Sequence, residues 1–168
     1  GGAVTGSVSV NHFTGLTNTM VSGIISNAHQ LNIEANRVAD IQTYNNGAAV
    51  SGGEIAGAIG VGVTYVKDES STNANLANST IERFGSIDDS ADVSVQANNR
   101  SSISTEAGSG ALAIGIGGAV GTSIGVANMN NTTSTTISNT IIGKNNSFDN
   151  VDVKADNLLS SNFTNWAA

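Results

Sequence analysis

The sequence predicts an all-β chain coiled as a parallel solenoid, and three observations carry that expectation. One unit of roughly 55–60 residues recurs three times, as repeat architectures require. Within each unit, apolar residues alternate with small or polar ones at a period of two. Turn formers abound: there are 20 Gly, Asn is about as common, and Pro is absent. Gly and Asn tolerate the left-handed backbone that tight corners need.

Each copy opens with a glycine-rich apolar segment. The first reads Gly2-Ala3-Val4-Thr5-Gly6-Ser7-Val8-Ser9-Val10. The second reads Gly57-Ala58-Ile59-Gly60-Val61-Gly62-Val63-Thr64-Tyr65, and the third reads Gly118-Ala119-Val120-Gly121-Thr122-Ser123-Ile124-Gly125-Val126. A strand here puts Ile59, Val61, Val63 and Tyr65 on one face and Gly60, Gly62 and Thr64 on the other. The small face lets another backbone approach closely. A polar, Asn- and Thr-rich stretch follows and then turns apolar, as in Met20–Ile24, Ala77–Ile81 and Ile137–Ile141. A clean alternation ends the unit. Leu31, Ile33 and Ala35 are matched by Val93, Val95 and Ala97, and again by Val151, Val153 and Ala155. The copies span approximately residues 1–55, 56–116 and 117–168 of one continuous domain.

A single unit cannot bury such strands, because a two- or three-stranded piece is marginal in water. Stacked copies bury a continuous core. With a coil of about 20–25 residues, each copy makes two to three coils, and about seven coils rise roughly 30–35 Å. Val and Ile then form inward ladders, while Asn, Ser and Thr form outward ones. Other readings exist for parts of this pattern. The stretch from Ala107 to Asn130 has no charge, but it is too glycine-rich for a stable membrane-spanning helix. A membrane-inserting β-hairpin and an antiparallel sandwich share the alternation.

Charge narrows the partners. The net charge is -7, with only 6 basic residues, which argues against nucleic acid. Those residues (Arg37, Lys67, Arg83, Arg100, Lys144 and Lys154) are too scattered for a patch. The absence of Cys removes disulfides and thiolate metal sites. Aromatics are 4% of residues, so core bulk must come from aliphatic side chains. The chain starts at Gly1-Gly2 and shows no signal-peptide pattern. It reads as a fragment whose export information lies outside it.

The order Gly-Gly-Ala-Val, then Thr/Asn-rich residues, then Asn-Thr-Ile (Asn139 to Ile141), then Val-Asp-Val-Lys-Ala (Val151 to Ala155) resembles the repeats of large filamentous adhesins. These are passengers of autotransporters and two-partner secretion systems of Gram-negative bacteria, including fusobacterial leukotoxin-type proteins. The resemblance implies a right-handed parallel β-helix at the cell surface or secreted, with roles in virulence and host-cell contact. The partner it implies is a host-cell surface protein or glycan. The repeats are longer than the one-coil repeats usual in filamentous haemagglutinins, and no secretion domain or translocator is visible. Two further functions stay open: a membrane-active or cytotoxic toxin segment, and a carbohydrate-binding or carbohydrate-cleaving β-helix.

The expectation for chemistry is no enzyme: no catalytic residue, cofactor or metal. No GxSxG elbow, P-loop or dinucleotide fingerprint occurs. His12 and His29 have no carboxylate near them in sequence. The nearest thing to a site is a weak Ca²⁺ position at Asp88, Asp89 and Asp92, or at Asp149, Asp152 and Asp156. Local turn bonding explains both clusters equally well. Thr132 to Thr136 holds a dense Thr run of the kind that orders water on flat solenoid faces. Trp166, Phe163, Phe148, Phe84, Tyr65 and Tyr44 fall near repeat ends, where they pack corners or stack on sugars. Uncapped ends imply end-to-end self-association.

Overall fold

A computed structural model describes residues 1–84 and 91–168. Among these residues six strands make one parallel sheet: β1 (Gly2–Ile25), β2 (Gln30–Glu82), β3 (Asp92–Met129), β4 (Thr132–Ser138), β5 (Ile141–Lys144) and β6 (Asn150–Ala167). The order is β1-β2-β3-β6, with β4 and β5 also paired to β2. The chain is therefore all-β, and every strand pair is parallel.

The registers align the three copies. Gly2 lies beside Gly57, and Gly57 beside Gly118. Gln30 lies beside Asp92, and Asp92 beside Asn150. Neighbours are thus 55 to 62 residues apart in sequence, and each copy contributes one layer, not two to three coils. The cause is strand length. β2 runs for 53 residues and changes direction at Gly53 rather than closing a short turn.

Each layer is a long U. Its first arms are residues 2–25, 57–82 and 118–144, and its second arms are residues 30–52, 92–114 and 150–167. Side chains bridge the two sets: Thr19 Oγ1 donates to Glu34 O at 2.9 Å, and Thr135 Oγ1 to Lys154 O at 2.7 Å. Left-handed backbone marks the bend and an irregularity within the first arms. Gly53 and Gly115 stack with φ of 137° each, and Asn78 and Asn139 stack with φ of 51° and 47°. A β-carbon at Gly53 or Gly115 would be strained by that angle alone.

The interior changes along the U. Near the corner at residues 26–29 it holds Ile33, Ala35, Leu76, Ile81, Val93, Val95 and Ala97, all buried. The alternation read from the sequence for the second arms is therefore correct in the first two layers. In the last layer Val151 and Val153 remain 49% exposed. A smaller cluster, Ile41, Val66 and Ile103, lies midway. At the bend the expected inward ladders of Val and Ile are absent. Gly60, Gly62 and Thr64 point in, while Ile59 and Val63 lie on the outer face. The facing backbone dictates this. A β-carbon on Gly60 would meet the carbonyl of Gly110, and one on Gly62 that of Gly108. The close approach expected from the small face is real, and it drives the branched side chains outward.

Candidate functional site

Asp68, which the sequence reading passed over, anchors a dense hydrogen-bond network. It sits on the inward face of β2 with its side chain fully buried. Ser70 Oγ donates to Oδ1 at 2.7 Å, and Ser101 Oγ to Oδ2 at 2.6 Å. Asn131 Nδ2 donates to Oδ2 at 3.0 Å, and Arg37 Nη2 to Oδ1 at 3.1 Å. Arg37 Nη1 also donates to Asn99 Oδ1 at 3.0 Å. Asn99 Nδ2 donates to Asn157 Oδ1 at 2.7 Å, and Asn157 Nδ2 to Asn131 O at 3.0 Å. Residues from all three layers and both sets of arms thus meet around one carboxylate.

Burial pushes the Asp68 carboxyl up. The hydrogen bonds from Ser101, Ser70 and Asn131, with the Arg37 charge, outweigh burial and leave it below the usual carboxylate value. Parity was the missed signal. Asp68 falls in step with Gly60, Gly62, Thr64 and Val66, so an inward charge was legible once the inward face was known.

Directly above this network, on the outer face of the second arms, lies a recess. It is lined by the rows Asn36/Asn98/Asp156 and Val38/Arg100/Leu158, with Arg37, Asn99 and Asn157 at its base. Val38 is 79% exposed and Leu158 57%. Asn98 Nδ2 donates to Asn36 Oδ1 at 2.9 Å, and Lys154 Nζ pairs with Asp156 Oδ2 at 2.7 Å. Amides, a guanidinium and short aliphatic walls suit a neutral, hydroxyl-rich ligand.

The chain matches no family model, no curated protein and no solved structure.

Asp149, Asp152 and Asp156 each take a separate partner and do not converge. Asp88 and Asp89 lie outside the described residues. Asp92 Oδ1 accepts from Asn150 at 2.9 Å, Asp149 Oδ2 from the Ala91 amide at 2.7 Å, and Asp152 Oδ2 from Gln96 at 3.2 Å. Among the described residues no three His, Asp or Glu side chains group as a metal site. His12 does acquire a carboxylate, Glu69 Oε2 at 2.9 Å from Nε2, because the register places layer two beside layer one. The Thr run splits between faces: Ser134 Oγ bonds Asn73 at 2.6 Å outside, while Thr135 reaches across to Lys154 inside. Of the aromatics, Phe148 packs on the main core. Tyr44 is 65% exposed, and Phe84, Trp166 and Phe163 are 47%, 42% and 40% exposed.

Proposed function

We propose that this chain is a structural and adhesive repeat segment of a bacterial cell-surface or secreted adhesin. In this reading it is a right-handed parallel β-helix of the filamentous-adhesin kind, with one coil per copy. The observation that carries it is the in-register parallel pairing of three sequence copies. Such pairing adds one layer of about 4.8 Å per copy and has no intrinsic limit. The stack is a stalk that holds contact surfaces away from the cell.

Small-angle scattering on chains of three, six and nine copies tests the stalk. The stack height, the short dimension beside arms of roughly 80 Å, should grow by about 14 Å per three copies added, at one strand spacing each. A height that does not grow with copy number rejects the reading. The open strand edges support end-to-end self-association, seen as concentration-dependent sedimentation. A second reading, a carbohydrate-binding β-helix, is favoured by the asparagine recess. Saturable binding on a glycan array, abolished by Asn98→Ala with Arg100→Ala, supports it. An array without binding leaves the stalk role alone.

A further inference from the structure

The bend of the U is apolar on both outer faces. On one side of it Val50 lies beside Leu112, and Ile55 lies beside Ile116 across the bend itself. These four are 63%, 53%, 74% and 80% exposed, and Ile114 between them is 60% exposed. On the first arms the ladder Val4/Ile59/Val120 runs parallel to the Ile55/Ile116 pair. Beside the Val4/Ile59/Val120 ladder lies a shallow groove whose floor is Gly2, Gly57 and Gly118. Glu54 is the only charged side chain from residue 46 to 66, and residues 107–143 carry none.

We propose that this bend docks on a zwitterionic lipid surface, with the Ile55/Ile116 pair seated among acyl chains at the headgroup boundary. The apolar area chooses the occupant. One outer face of the bend offers about 14 Å across three strands and about 26 Å along them, roughly 400 Å². A stable dimer needs about 800 Å² from each partner. A second copy could cover only one of the two outer faces, whereas a lipid surface meets the tip and the adjoining ends of both faces. The net charge of -7 disfavours anionic headgroups and selects a neutral surface. Glu54 at the tip keeps the seating shallow, at about 5–10 Å, as for interfacial segments, and Glu106 on the second arms lies well outside that depth. Dye trapped inside the vesicles is retained.

The test is flotation of the full chain with phosphatidylcholine vesicles. The chain should float with them, and replacing half the lipid by phosphatidylserine should weaken flotation. Ile55→Asp with Ile116→Asp should reduce flotation at least tenfold. Leu16→Asp, at a position 74% exposed but remote from the bend, should leave it unchanged. If the double variant does not fold, Ile116→Trp in a Trp166→Phe background reads the same contact by a blue shift on adding vesicles. A chain that stays with the protein fraction, a tip variant that floats like the parent, an unshifted spectrum or released dye each overturns the proposal. So does self-association in lipid-free buffer that the tip variant abolishes, which would assign the face to a second copy.

Discussion

Near residues 26–29 the first two layers are filled by Ile33, Leu76, Ile81, Val93 and Val95, while at the bend the inward positions hold Ala56, Ala58, Gly60 and Gly62. The two regions share one period-two alternation. They differ in how far apart the arms stand. Where the arms separate, branched side chains face each other and exclude water. Where they close, facing backbones leave room only for hydrogen or methyl groups, and Ile59 and Val63 turn to the outside. The period of an alternation gives the strand, but the smaller set of side chains faces inward wherever two sheets come nearest. Between the regions sits the Arg37–Asp68 network, a polar partition between the Leu76 cluster and the bend.

The comparison breaks most severely at that partition. Asp68→Ala leaves Arg37 and three hydrogen-bond donors without their carboxylate, and should cost about 3–5 kcal/mol in denaturant unfolding. Ile81→Ala at the open end should cost about 2–5 kcal/mol through the cavity it leaves. Gly62→Val at the closed end removes no contact, yet should cost about 1–3 kcal/mol, because its side chain meets the Gly108 carbonyl. If Gly62→Val proves neutral, the arms are not in contact at the bend and the contrast fails.

Acid sharpens the same picture. Asp68 is depressed in the folded state, so the native chain binds its proton less tightly than the unfolded chain. Its contribution is full above the unfolded value, about pH 4, and is lost as pH falls through the lower folded value. Asp68→Asn should flatten the loss of stability on acid titration. The smallest effect has the opposite sign. Thr64 and Thr72 bury hydroxyls that have no hydrogen-bond partner. Thr72→Val keeps the shape and should raise stability by up to about 1 kcal/mol, read as a higher denaturant midpoint.

Much of this fold is legible in the residues. The three copies, the parallel pairing and the inward Val93, Val95 and Ala97 follow from period and repetition. The number of coils does not, because Gly53 and Gly115 redirect long strands where a count of short strands implies closed turns. Which face of Ile59 to Tyr65 is buried also escapes, since alternation is symmetric until the opposing backbone is known. The Asp68 network draws on residues 31 and 33 positions away in sequence, at Arg37 and Ser101, and only the register unites them. Asp149 and Asp152 are satisfied between layers, by the Ala91 backbone amide and the Gln96 side-chain amide, and not by the local turn bonds the sequence suggests.

The wide spacing of the register has a mechanical consequence. Each layer adds about 4.8 Å of height, yet stores 55 to 62 residues of backbone. Pulled out straight, at about 3.3–3.6 Å per residue, one layer releases roughly 180–220 Å of contour length. A load along the stack would peel backbone bonds one after another along an arm instead of shearing them together. Tension would therefore be relieved in long, discrete extensions, about fortyfold the height each layer contributes at rest.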